Sequence, residues 1–280
     1  NGISAKQRCD PFNRSPCRAT LHPKPGEPTA VMLLRGKTCI ITGAASERGI
    51  GRACTTLFAE HGARLVLLDI DKDTVHDTAQ ELGAEHLAFG LDISDGSACT
   101  AIVNEILAEV TSIDCLVNNA GIAQALGLLE IETSDYDRVL DVCLRGTFNM
   151  CQAVVPSMQT HRRGSIINLS SVAGQRGGGL FSGSHYAAAK AGVLGLTKAL
   201  AREQGPFQIR VNAICPGLID TDIFQGQLSA ESRQAIIDAT PIGRIGQPQD
   251  VAGCALFLAS DLSSYVTGSE IDVNGGVHIH

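Results

Sequence analysis

No apolar run in this sequence reaches the roughly 18 residues that a membrane-spanning helix needs, so no such helix is expected. Positive charge is in short supply. Lys and Arg total 22 against 29 Asp and Glu, giving a net charge of −7, and no basic stripe breaks the pattern. That balance argues against a nucleic-acid partner. There is no C-x-x-C pair among the ten cysteines. Most stand singly inside apolar segments, as Cys39, Cys54, Cys115, Cys151, Cys215 and Cys254 do. This is the pattern of buried reduced thiols in a cytoplasmic protein, not of a disulfide framework or a zinc site. No metal ligand set is expected, no internal repeat is visible, and no linker divides the chain after residue 35.

What is present is ordinary for a folded protein: 280 residues, 44% apolar and 18% charged, enough to bury a large core. Residues 1–31 do not match the rest. They hold five prolines, two cysteines and scattered basic residues, with no hydrophobic period. They read as a disordered N-terminal extension. The chain starts with Asn, as a fragment or a processed form would, and Met32 is a candidate natural start. The five basic and two acidic residues of the extension also suit a targeting leader, although no amphipathic helix is visible in it.

From Gly36 the rhythm is strand, helix, strand, helix. Strands are expected at Thr38–Thr42, Arg64–Leu68, His86–Leu91, Asp114–Val117, Ser165–Leu169, Ile209–Ile214 and Glu270–Val273. Helices are expected at Ile50–Glu60, Lys72–Leu82, Ala98–Val110, Tyr136–Gln159, Tyr186–Gln204 and Asp250–Ala259. Short buried strands alternating with helices predict an α/β fold: one domain with a parallel sheet covered on both faces.

Two stretches carry chemistry. The run T-G-A-A-S-E-R-G-I-G, Thr42 to Gly51, follows the first strand and opens the first helix. Glycines there let the backbone approach a pyrophosphate, and the helix N-terminus offers free N–H groups. Gly43, Ser46, Arg48, Gly49 and Ile50 are the candidate contacts. Asp69 ends the second strand, where a carboxylate can accept from both ribose hydroxyls and would repel a 2′-phosphate. That favours NAD. Arg48 pulls toward NADP, because a guanidinium there suits a 2′-phosphate. The second stretch is Ser165–Lys190. Tyr186 and Lys190 stand four apart on one helical face, and a cation beside a phenol favours phenolate. Ser171, at a strand end, is in reach of the same point. Hydroxyl, acidified phenol and lysine make a proton-transfer site for a carbonyl or an alcohol.

Together these residues resemble the classical short-chain dehydrogenase/reductase family. The resemblance covers about Leu34 to the C-terminus. It rests on the glycine loop, Asp92, N-N-A-G at 118–121, Ser171, Y-x-x-x-K at 186–190 and P-G-L-I-D-T at 216–221. It implies a single-domain Rossmann fold over 32–280, a doubly wound parallel sheet of about seven strands, together with a nicotinamide cofactor and a homotetramer or homodimer paired through helices 136–159 and 186–204. By position it makes Tyr186 the general acid/base, has Lys190 lower the Tyr186 pKa and bond the nicotinamide ribose, and has Ser171 bond the substrate oxygen. It also sets Asp92 and Ile93 at the adenine, Asn118, Asn119, Ala120 and Gly121 along the cofactor, and Pro216, Gly217, Ile219 and Thr221 at the nicotinamide end.

Three features depart from the family. Five residues separate Gly43 from Gly49 where three are usual. Cys143 stands where the family has an Asn that supports a water-linked proton relay, so slower turnover is expected; a packed thiol is favoured there over a redox switch. Fourteen residues separate Ser171 from Tyr186, about two more than usual, the addition falling within 175–184.

Substrate information is thinner. Residues 222–240 are expected to form a lid with a short helix near Ala230–Ile237. Leu180, Phe181 and Phe224 are candidate apolar walls, Gln124 a candidate polar contact, and His185 a structural residue. The first turns of the lid, Asp222 to Ser232, lack Lys and Arg, which argues against an acyl-carrier or coenzyme A thioester; Arg176 is the nearby exception. The leading expectation is a secondary alcohol/ketone oxidoreductase acting on a small molecule. The alternatives are a 3-oxoacyl-thioester reductase using NADPH and a non-catalytic nucleotide-binding scaffold.

Overall fold

The computed structural model describes residues 31–178, 182–222 and 229–280. The extension expected over 1–31 lies, but for Val31, outside the described residues, as do Leu180, Phe181 and Phe224.

Seven strands form one sheet: β1 (Thr38–Thr42), β2 (Arg64–Asp69), β3 (Leu87–Gly90), β4 (Cys115–Asn118), β5 (Gly164–Leu169), β6 (Ile209–Pro216) and β7 (Glu270–Val273). They run in the order β3-β2-β1-β4-β5-β6-β7, and every pairing is parallel. The alternation inside β1 shows how the sheet divides the core. Cys39 and Ile41 face a layer with Cys54 and Phe58 of α1 (Ile50–Glu60) and Val251 and Ala255 of α9 (Pro248–Ala259). Ile40 faces the opposite layer, with Val103 and Ile106 of α3 (Gly96–Glu109) and Met150 and Val154 of α5 (Gly146–His161). Successive strand side chains point to opposite faces, so a strand buried on both sides reads as a continuous apolar run.

The strand order reverses between β1 and β4, and ligands of such sheets bind at that switch point, beyond the carboxyl ends of the strands. Helix starts are set by side chains. Asp71 accepts from the Thr74 N–H to cap α2 (Lys72–Leu82), and Asp95 accepts from the Ser97 and Ala98 N–H groups to cap α3. That second cap starts α3 two residues earlier than expected.

The long helix expected at 136–159 differs more. It begins at Thr133 as α4 (Thr133–Leu140), under a capping box of Glu132 and Asp135. It then passes through a π turn over Asp141–Arg145 before continuing as α5. Cys143 sits in that turn. Two further helices lie near the expected catalytic stretch: α6 (Val172–Arg176), inside what reads as a glycine-rich loop, and α7 (Ser184–Gln204). The helix expected in the 222–240 segment is α8 (Ala230–Ala239).

The eight cysteines from Cys39 onward are free thiols. Burial pushes Cys54, Cys151 and Cys215 up to about 12. The thiolate is the reactive form. Iodoacetamide at pH 8, read by peptide mapping, is therefore expected to leave these three unlabelled in the native protein and to label all of them in denaturant.

Candidate active site

A cavity of about 1170 Å³ lies over the carboxyl ends of the strands. Nearly every residue expected at the site lines it. Gly43, Ser46, Gly49 and Ile50 come from the glycine loop, Asp69 from β2, and Asp92 and Ile93 from the turn after β3. Asn119, Ala120 and Gly121 follow β4, Ser171 follows β5, Tyr186 and Lys190 lie on α7, and Pro216, Gly217, Ile219 and Thr221 come from the end of β6 and beyond.

Two expected contacts are placed elsewhere. Asn118 is the last residue of β4 and points into the core, where its amide donates to Asn168 Oδ1 at 2.9 Å and to Cys151 Sγ at 3.3 Å. The next residue takes the cofactor-side place: Asn119 donates to the Thr42 and Gly43 carbonyls at 3.0 and 2.9 Å. Arg48 is drawn across to the segment after β6. It bonds Asp220 at 3.1 Å and approaches Asp222 at 3.8 Å, and its backbone N–H donates to Asp222 at 3.3 Å. Ser46 Oγ donates to the same carboxylate at 3.1 Å. Two acids therefore hold the longer glycine loop, and Arg48 is not among the residues lining the cavity.

The loop fits a dinucleotide. The first turn of α1 is left without a side-chain cap at Gly49, so its N–H groups face the cavity end unpaired by a side chain. Gly51 is forced by packing, because a Cβ there would stand 2.1 Å from the Gly43 carbonyl oxygen. Asp69 is held by two backbone donors, Ala45 N–H at 2.9 Å on Oδ2 and Asp71 N–H at 3.1 Å on Oδ1. Each oxygen keeps lone-pair capacity for a diol.

At the other end of the cavity, Lys190 is buried and donates to the Leu169 carbonyl at 2.7 Å. Its own carbonyl accepts from Ser170 Oγ at 2.8 Å, which ties α7 to the end of β5. The ammonium lies 5.7 Å from the Tyr186 ring centroid. Ser171 Oγ accepts from the Ala173 N–H at 3.1 Å as the cap of α6, which leaves its O–H to donate on the Tyr186 side.

The Tyr186 phenol is raised above its ordinary pKa. Burial is the largest cause. The Lys190 charge opposes it, the Cys143 thiol adds to it, and the Ser171 hydroxyl opposes it. The direction expected of Lys190 is present, but desolvation outweighs it, so the net shift is opposite to the one the Y-x-x-x-K spacing suggested. On the reading of Tyr186 as the acid/base, turnover in the alcohol-oxidising direction is expected to rise with pH and carbonyl reduction to fall. Removing the opposing charge with Lys190→Met should move the oxidation profile to still higher pH, read from kcat against pH. An unmoved profile would contradict this account of the lysine.

Cys143 donates through Sγ to the Ile122 carbonyl at 3.2 Å, and its own carbonyl accepts from Thr147 Oγ1 at 2.9 Å. It is a packed thiol. Gln124, expected as a substrate contact, has both ends of its amide engaged inside the protein, by His185 at 2.9 Å and Asp135 at 2.8 Å. His185 is correspondingly structural. Lining residues that the sequence did not single out include Arg138 and Val142, four apart on one helix face, and Ala235 and Ile236 of α8.

The family profile described as enoyl-(acyl carrier protein) reductase matches residues 43–278. The chain belongs to the classical short-chain dehydrogenase/reductase family. It is 51% identical over 254 residues to an uncharacterized short-chain type dehydrogenase/reductase of Sinorhizobium fredii, covering 89% of this chain and 100% of that one. It is 44% identical over 253 residues to the 3-oxoacyl-[acyl-carrier-protein] reductase of Thermotoga maritima, again covering 89% and 100%. Among solved structures, a putative gluconate dehydrogenase from Agrobacterium tumefaciens superposes with a TM-score of 0.83 at 33% identity, covering 88% of this chain and 98% of that one. As a short-chain dehydrogenase/reductase the chain is an oxidoreductase that uses a nicotinamide cofactor.

Proposed function

We propose that this dehydrogenase/reductase interconverts a secondary alcohol and a ketone with NAD(H). The observation that carries the proposal is the convergence of Ser171, Tyr186 and Lys190 on one cavity that also receives the glycine loop and Asp69. Ser171 holds the substrate oxygen with its O–H. Tyr186 gives a proton to that oxygen in reduction and takes it back in oxidation. Lys190, fixed by the Leu169 carbonyl, stabilises the phenolate and has two further N–H groups for the ribose of the cofactor. The nicotinamide, when bound, supplies or accepts the hydride.

Asp69 supports NAD, because its carboxylate lines the cavity at the end of β2 while Arg48 is engaged by Asp220 and Asp222. One observation favours a second reading, reduction of a 3-oxoacyl thioester with NADPH: the Thermotoga maritima relative bears that name at 44% identity. Oxidation of NADH and of NADPH, measured side by side against small ketones, sugar-derived carbonyls and 3-oxoacyl thioesters, separates the two. Faster NADH use with a small ketone or sugar is the expected result. NADPH use with a thioester would replace the first reading by the second.

We place the enzyme in the cytoplasm, a reading supported by its free thiols. We also propose that it assembles as a homotetramer or homodimer; the half-exposed Tyr136 on α4 and Phe148 on α5 support pairing there.

A further inference from the structure

We propose that Gln124 is the positioning residue for Tyr186, fixing the first turn of α7 against the loop that follows β4. This rests on the reading of Tyr186 as the acid/base. Gln124 makes three bonds. Its backbone carbonyl accepts from the Gly183 N–H at 2.8 Å. Its side-chain Oε1 pairs with His185 Nε2 at 2.9 Å, and its Nε2 donates to Asp135 Oδ1 at 2.8 Å. Gly183 is the N-cap of α7 and supplies no side-chain cap of its own. Gly183 and His185 lie three residues and one residue before Tyr186, so Gln124 grips the turn that carries the phenol. The neighbours of Gln124, Gly121, Ile122 and Ala123, line the cavity. Gln124 thereby ties the turn that carries the phenol to that wall, once through its backbone carbonyl and once through its side chain.

The chemistry fixes the direction of the chain of bonds. The hydrogen bond from Gln124 is the largest cause holding the Asp135 carboxyl below its ordinary range, so Asp135 is an acceptor only. The amide nitrogen must then face Asp135, and the amide oxygen must face His185. His185 therefore carries its proton on Nε2. Its Nδ1 is buried with no hydrogen-bond partner among the described residues, in a residue 2% exposed. Asp135 is itself anchored, accepting the Glu132 N–H at 3.3 Å in the capping box of α4. The grip thus ends on a helix start, which makes it rigid. It also answers a need of this sequence. The stretch before Tyr186 is longer than is usual in the family, and a longer stretch constrains the turn that follows it less by itself.

The test is a set of variants assayed with NADH and the fastest carbonyl of the panel above, with NADH binding followed by fluorescence. Gln124→Ala removes both side-chain bonds. Gln124→Glu keeps the acceptor for His185 but sets two carboxylates face to face. Gln124→Glu combined with Asp135→Asn restores both bonds with the donor and acceptor exchanged, and the amide oxygen introduced by Asp135→Asn can still accept the Glu132 N–H. Displacement of a reacting group by about 1 Å costs up to about a hundredfold in rate. The two single variants are therefore expected to lose about tenfold or more in kcat with NADH affinity within about twofold of the parent. The double variant is expected to regain most of the loss. An unchanged kcat in Gln124→Ala, a double variant no faster than Gln124→Glu, or a fall in kcat that only tracks lost NADH binding would each overturn the proposal. Tyr186→Phe run alongside tells the failures apart. If Tyr186→Phe is dead while Gln124→Ala is normal, only the role of Gln124 is lost; if Tyr186→Phe still turns over, the acid/base reading itself is lost.

Discussion

Replacing Tyr186 by Phe is expected to lower turnover by about a thousandfold while leaving cofactor binding within about threefold of the parent, because a positioned proton donor contributes on the order of 10²–10⁴ in rate. The substitution removes one oxygen and leaves the ring. The ring packs beside Val139, Cys143 and Ala189, and that packing survives. The glycine loop and Asp69 are at the other end of the cavity and do not touch the phenol. A reduced cofactor should therefore bind to the variant normally, as followed by fluorescence, while its oxidation with a ketone nearly stops. Substantial residual turnover would mean that another group protonates the substrate. The elevated pKa of the phenol in this setting suits the donor role, since it stays protonated near neutral pH.

The second large effect is expected at Gly51. Its missing side chain leaves room for the Gly43 carbonyl. A Cβ built there would stand 2.1 Å from that oxygen and 2.7 Å from Asn119 Nδ2. The first is backbone and cannot swing aside. Gly43 itself has φ +69° and packs against Ala120, with only 2.8 Å from its would-be Cβ to the Ala120 Cα. The loop is thus locked from both sides, and Gly51→Ala must push it off the N-N-A-G turn. Overpacking of this kind costs about 1–3 kcal/mol or more in stability. The N–H groups at the cavity end of α1 move with the loop. NADH affinity is expected to fall by about a hundredfold, about 2.7 kcal/mol, together with a lower Tm. Gly253→Ala is the control. It lies on α9 with nothing within 4 Å of its Cβ, and helix propensity predicts an unchanged or slightly higher Tm. Equal behaviour of the two variants would contradict the packing argument.

The sheet and its helices were legible because the signals are local. The run T-C-I-I-T is apolar on both faces, and glycines stand where the chain turns into α1. Candidate site positions were legible for the same reason wherever a motif stands just past a strand end, as at Asn119 and Ser171, or repeats at helical spacing, as at Tyr186 and Lys190. What escaped depends on partners far along the chain. Arg48 looks like a phosphate ligand by its position in the loop, yet its direction is decided by Asp220 and Asp222, some 170 residues away. Asn118 and Asn119 look equivalent in N-N-A-G, and only the end of β4 decides which one turns inward. Helix α6 is five residues long. It exists through the Ser171 cap and through packing in which a Cβ on Gly174 would meet the Lys190 backbone at 2.7 Å, and neither shows a helical period. The pKa of Tyr186 is the clearest case. Spacing on a helix reveals the lysine beside it but not the burial that outweighs the lysine.

The central claim is that hydride and proton reach the substrate by separate routes, the hydride from the nicotinamide and the proton through Tyr186. The most direct measurement is reduction of a ketone with reduced cofactor deuterated at C4, followed by mass spectrometry and NMR of the alcohol. The account predicts one deuterium on the carbinol carbon and none on that carbon when the label is supplied as D2O instead. Deuterium arriving on the carbon from the solvent, with none from the cofactor, would contradict it.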